Sequence, residues 1–182
     1  MMGRYWGVQA GWNFMDNILR GLAAFAAAMV LSLSSAAGQV LDSVNGDQLS
    51  AAMSAAGLSP TMIEDAATGA PVARGSAGAF GFFVRALSCS GKPPACENLV
   101  FFANFDLGRS VTTKDYRIIN SFNDSQVFGR AYILENQNQV GVDYVIELGG
   151  GVSPEHLAQN INRWADVISA FVAKFQEGSA GS

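Results

Sequence analysis

From Ala79 onward, large apolar residues alternate with small or polar ones at a period of two. Phe80, Phe82, Val84 and Ala86 fall on one side of a predicted strand, and Gly81, Phe83, Arg85 and Leu87 on the other. The alternation resumes after a Ser-Gly-Lys-Pro-Pro-Ala stretch, where Leu99, Phe101, Ala103 and Phe105 oppose Val100, Phe102, Asn104 and Asp106. Two later strands are predicted over 127–134 and 140–148, joined by the polar turn Glu135-Asn136-Gln137-Asn138. Upstream, an extended segment at 61–64 and a brief strand at 72–74 flank the turn sequence Thr68-Gly69-Ala70-Pro71.

The period changes to that of a helix in three places. Leu49, Met53 and Ala56 follow a cap at Asn45 or Asp47, and Gly57 is the predicted stop. A second helix starts at Thr112 or Thr113, runs through Ile119 and ends near Asn123. A third opens at Ser153 with Pro154 in its first turn, and its stripe comprises Leu157, Ile161, Trp164, Ile168, Phe171, Val172 and Phe175. Residues 178–182 read as a disordered tail. Strands joined by short turns pair antiparallel. The expected class is therefore α+β: an antiparallel meander sheet with helices packed on one face.

The N-terminal part follows a different logic. After Arg20, residues 21–33 (GLAAFAAAMVLSL) carry no charge, and Ser35 and Ala37 suit the small-residue positions of a signal-peptidase site. The run is shorter than the roughly 20 residues a spanning helix needs. Residues 1–37 are accordingly expected to be a signal peptide, with Met15 an alternative true start, and residues 38–177 a single folded domain with no stable membrane span after cleavage. The destination is periplasmic or secreted. A formal net charge of −4 offers no electrostatic footprint for nucleic acid.

Export changes the reading of the cysteines. Cys89 and Cys96 bracket the turn between the two aromatic strands, and beyond a secretion signal such a pair is expected to be a structural disulfide. A redox pair or half a metal site is the other reading. Their six-residue spacing is not C-x-x-C, however, and no second pair completes four ligands. The single histidine, His156, has Asn160 where a zinc helix needs its second histidine. Asp65, Asp106 and Asp115 are scattered and read as solvated turns and caps. Gly149-Gly150-Gly151 lacks the spacing of a nucleotide loop and reads as a hinge. No catalytic residue, metal site or cofactor is predicted, and a non-enzymatic role is expected.

Several segments together resemble the YbjN family of bacterial proteins, which look like type III secretion chaperones in fold. Asp47 and Leu49 open a helix ending at Ala56-Gly57, and Glu64-Asp65 precede Thr68-Gly69-Ala70-Pro71. Cys89 and Cys96 bracket a hairpin turn ahead of Leu99-Val100-Phe101-Phe102. Asn120-Ser121-Phe122-Asn123 comes before Phe128-Gly129-Arg130-Ala131-Tyr132, and Gly149-Gly150-Gly151-Val152-Ser153 leads into a helix with Trp164 and Phe171. The resemblance covers about residues 44–175. It implies an α+β fold with a curved antiparallel sheet, a tendency to pair with itself or a partner, and a regulatory label without chemistry. It departs in one respect, because type III secretion chaperones work in the cytosol and this chain reads as exported.

The expected working surface is a face rather than a pocket. If Phe80, Phe82, Leu99, Phe101 and Phe105 turn toward the helices, Phe83, Leu87, Val100 and Phe102 gather on the opposite face, bordered by Arg85, Asn104, Arg130 and Tyr132. The expected function is protein–protein interaction, chaperone-like or regulatory, in the bacterial envelope. The partner is an unknown envelope protein or a second copy in a homodimer. The alternative is a small-molecule-sensing or ligand-binding periplasmic domain using a cleft near Asn120, Asn123 and the hinge Gly149-Gly150-Gly151.

Overall fold

The computed structural model describes residues 40–180; the predicted signal peptide, the alternative start at Met15 and the last two residues lie outside the described residues. Among the described residues, six strands and three long helices form. In chain order they are α1 (Gly46–Ala55), β1 (Thr61–Glu64), β2 (Pro71–Ala77), β3 (Phe80–Ser90), β4 (Ala95–Asp106), α2 (Thr113–Ser125), β5 (Arg130–Leu134), β6 (Gln139–Glu147) and α3 (Pro154–Ala180). A single 3-10 turn, Glu135–Gln137, joins β5 to β6.

The strands make one antiparallel sheet in the order β1-β2-β3-β4-β6-β5. The first four follow one another as a meander. Helix α2 then carries the chain past the next position, so β5 becomes the far edge and β6 returns between it and β4. The expected α+β class is the one observed. Strand β2 is longer than the brief segment predicted. Its Gly75-Ser76-Ala77 portion has little strand propensity, but the Phe82 ring lies over Gly75. A Cβ there would stand 2.7 Å from Phe82 Cζ, so the glycine is what lets the ring into the core.

The helices cover the face carrying Phe82, Val84, Ala86, Leu99, Phe101 and Ala103, all buried. Trp164 of α3 is the hub of this core. Its ring lies 5.7 Å from that of Phe82 and 6.0 Å from that of Phe101, centroid to centroid. The indole Nε1 has no hydrogen-bond partner among the described residues. Phe122 of α2 meets Phe171 of α3 edge to face at 5.4 Å. Burying side chains of this size contributes about 1.5–3 kcal/mol each.

Local signals fix the helix starts. Asn45 Oδ1 accepts from the Gln48 amide and Gln48 Oε1 from the Asn45 amide, each at 2.9 Å, a reciprocal cap on α1. Helix α3 begins at Pro154 as expected. Its far end differs from the sequence reading: the helix continues through Gly178 to Ala180 where a disordered tail was expected. Gly178 packs so close to Ile118 that a Cβ would come within 2.6 Å of it, and Lys114 Nζ donates to the Ser179 carbonyl at 3.0 Å. Contacts with α2 hold this turn in place.

Candidate functional site

Alternate side chains of β2 to β6 point away from the helices and form a second face. At its centre Phe83 and Phe102 are directly paired across β3 and β4, their rings stacked with centroids 5.8 Å apart and 23° between planes. Phe83 is 38% exposed, Leu87 42% and Val145 48%. Val100 sits in register between Arg85 and Val145. The Arg85 guanidinium lies 6.0 Å from the Phe102 ring centroid, within cation–π range.

The β5 side of this face is polar and ordered. Arg130 grips the Asp143 carboxylate through both Nε and Nη2, the first at 3.2 Å, which holds the guanidinium pKa above its ordinary value. Tyr132 donates its hydroxyl to Asn104 Oδ1 at 2.7 Å and lies across Gly141. A Cβ at Gly141 would come 2.5 Å from both the tyrosine ring and that oxygen, so glycine is required for the ring to lie down. Burial, then the charge of Asp143, pushes the Tyr132 phenol up to about 12. It is therefore a neutral hydrogen-bond donor at any physiological pH.

The sheet brings Phe83, Leu87, Val100, Phe102, Arg130 and Tyr132 onto one face. Sequence reading missed Arg74, Asp143 and Val145, which extend the same rows: Arg74 pairs with Phe83, Asp143 with Phe102 and Val145 with Val100. The alternation of β6 carried that signal, but only the strand order shows that β6 lies beside β4.

At the end of the β3–β4 hairpin, Cys89 and Cys96 are register partners and are joined in a disulfide. The strands run to Ser90 and resume at Ala95, so the turn is shorter than the segment the cysteines bracket. Cys96 is fully buried, and its amide and carbonyl pair with those of Val44 at 2.9 and 3.0 Å. Neither sulfur is a thiol available to a nucleophilic or metal-binding role.

The residues of the proposed ligand cleft are placed apart. Asn123 is engaged with β5: its Oδ1 accepts from the Ala131 amide at 2.8 Å and its Nδ2 donates to the Ala131 carbonyl at 3.1 Å. Asn120 lies exposed on α2, in a shallow depression with Tyr116, Arg117 and Asp124. Ala131 pairs with Val142, and Gly149 follows seven residues further along the chain from there, on the order of 20 Å away at strand rise. The glycines instead turn the chain from β6 toward α3, where Leu41 and Val152 form a two-residue bridge.

His156 is exposed in the first turn of α3 and donates its amide to Ser153 Oγ at 3.1 Å. Asp65 and Asp106 are turn residues as expected, accepting from the Thr68 and Gly108 amides respectively. Asp115 is a correction. It is buried, not solvated, and accepts two bonds from Arg109 at 2.7 and 2.8 Å plus the amide and hydroxyl of Thr112 at 2.8 Å each. Those bonds, Arg109's first, hold its carboxyl well below the usual range despite burial. A second polar network also escaped sequence reading: Tyr144 donates to Asn160 Oδ1, which also accepts from Arg163 at 2.8 Å, while Arg163 stacks 4.3 Å over Phe128. Among the described residues no group of three or more His, Cys, Asp or Glu could hold a metal ion, and no helix is long and apolar enough to cross a membrane.

The family model described as "Putative bacterial sensory transduction regulator", YbjN, matches residues 45–177. The chain belongs to the YbjN family. Among solved structures it is similar to one described as "Crystal structure of YbjN, a putative transcription regulator from E. coli", with a TM-score of 0.53 and 14% sequence identity, covering 75% of this chain and 92% of the other. That likeness is one of fold. No curated protein matches the chain. The YbjN-family region thus spans α1 through most of α3 and includes the whole second face.

Proposed function

We propose that this YbjN-family protein is an exported, non-enzymatic domain that works by protein contact, in a chaperone-like or regulatory role in the bacterial envelope. The observation that carries the reading is the stacked Phe83–Phe102 pair, with Leu87 and Val145, on a sheet face that no helix covers. Aromatic residues are enriched where proteins meet, and an apolar cluster of this kind is uncommon without a partner. The arginines and carboxylates around it supply the polar rim that such interfaces carry.

Two features support export. One is the uncharged run at 21–33 followed by Ser35 and Ala37. The other is the consumption of both cysteines in one bond, which persists in oxidising compartments. The regulatory description belongs to the family, and its extension to this chain rests on membership.

Site-specific photocrosslinking in the native bacterium tests the proposal. A photoreactive residue at position 83 or 102 is expected to give discrete protein adducts in the envelope fraction, and one at position 120 or 156 none. Absence of any adduct from the sheet face, or adducts confined to the cytosol, would overturn it.

A further inference from the structure

The charges on the second face are not mixed at random. Arg74 and Arg85 stand on β2 and β3, and Asp143 and Glu147 on β6, with the Phe83–Phe102 pair between them. Arg74 and Arg85 form no ion pair among the described residues, and Glu147 is exposed. One half of the strip is therefore basic and the other acidic, symmetrically about the gap between β3 and β4.

That layout is self-complementary under one symmetry operation. Two copies meeting face to face are related by a twofold axis lying between their sheets. An axis across the strands sets each strand over its own copy, so arginine meets arginine and carboxylate meets carboxylate. An axis along the strands, through the β3–β4 gap, exchanges β3 with β4 and β2 with β6. Phe83 then faces the partner's Phe102, Arg74 faces the partner's Asp143, and Arg85 comes within one strand spacing and one row, about 8 Å laterally, of the partner's Glu147. Aligned sheet packing adds a rotation of about −30°, which long Arg and Glu side chains accommodate.

We infer that the occupant of this face is a second copy of the same chain, docked sheet on sheet about that strand-parallel axis. The inference rests on the contact role proposed above and assigns its partner. Four strands and three residue rows cover roughly 400 Å² of projected area per copy, which places the contact among small, reversible interfaces, with a dissociation constant on the order of micromolar.

The test is a mixing experiment on the full-length gene product, purified from its bacterial host and followed by sedimentation velocity through the micromolar range. Wild type is expected to dimerise reversibly. Arg85→Glu alone and Glu147→Arg alone each place like charges at both symmetry-related contacts, and each is expected to weaken self-association about tenfold or more. Mixed one to one, the two variants pair opposite charges at both contacts and are expected to recover the wild-type affinity. Recovery also shows that both variants are folded.

A wild type that stays monomeric overturns the inference, whether residues 1–37 or a different protein covers the face. Single variants that dimerise like wild type, or a mixture that fails to recover, overturn it as well. Adducts to other envelope proteins from positions 83 and 102 would leave the contact role standing with the second copy excluded. Absence of adducts would remove both.

Discussion

Breaking the Cys89–Cys96 bond should lower stability by an amount the hairpin geometry sets. The bond closes a segment of eight residues, counted from its separation of 7. In the chain-entropy treatment a loop of that length constrains the unfolded chain by about 8 cal/mol/K, or about 2.5 kcal/mol at 25 °C. Unfolding some 140 ordered residues carries an entropy of roughly 0.3 kcal/mol/K, so the melting temperature should fall by about 8 °C. The two cysteines are not equivalent, however. Cys89 is half-buried, and Cys89→Ser should cost little beyond the loop contribution. Cys96 is fully enclosed in the core, so Cys96→Ser also buries a hydroxyl and should cost about 1–3 kcal/mol more. Thermal melts of the oxidised protein, the reduced protein and both single variants, with thiol counts verified by mass, provide the assay. Native protein isolated with two free thiols, or a fully reduced sample melting within about 2 °C of the oxidised one, would refute the reasoning.

Three further outcomes are expected. Asp115→Asn removes the carboxylate that receives Arg109 and Thr112, and urea titration at neutral pH should show a loss of about 2 kcal/mol, discounted because the Arg109 side chain is 45% exposed. Because Asp115 is held below its unfolded pKa, that advantage is complete above pH about 4 and is lost as pH falls further; an unchanged gap at pH about 3 contradicts the assignment. Asn123→Ala frees both polar groups of Ala131, so hydrogen exchange at the Ala131 amide should accelerate and stability drop by about 1–2 kcal/mol, whereas full protection would deny the side chain its place at the edge. Gly141→Val pushes Tyr132 off the sheet, and ultraviolet titration should then show its phenol returning from about 12 toward the ordinary value near 10.

The legible parts of this molecule are those governed by short periods. Alternation at Phe80–Phe83 and Leu99–Phe102 assigned each aromatic ring to its face, because a strand has no other way to bury half of its side chains. Helical spacing likewise placed Leu157, Ile161, Trp164, Ile168 and Phe171 in the core. What stayed hidden depends on partners distant in sequence or on a turn without periodicity. Nothing local distinguishes Asp115 from a solvated acid until Arg109, reached through the loop after β4, closes on it. Asn123 read as a helix-end residue because the strand it serves lies at the far edge, a position set by the α2 crossover. The same crossover puts β6 beside β4, so the acidic half of the second face became visible only with the strand order in hand.

The strand order also bears on why the partner should meet the face of the sheet and not its edge. Adding a strand to a sheet requires a row of open backbone donors and acceptors. On the β5 edge, Asn123 occupies both the amide and the carbonyl of Ala131, in the middle of the short Arg130–Leu134 segment. On the opposite edge, β1 has four residues and follows Pro60, which limits how far a ladder could extend. The face suffers neither restriction. Its aromatic pair is exposed, its arginines on β2 and β3 are unpaired by carboxylates among the described residues, and its rim is held rigid by the Arg130–Asp143 and Tyr132–Asn104 contacts. A partner that docked by strand addition would be released by Pro substitutions in β1 and indifferent to charge reversal at Arg85. A partner docked on the face would behave in the opposite way.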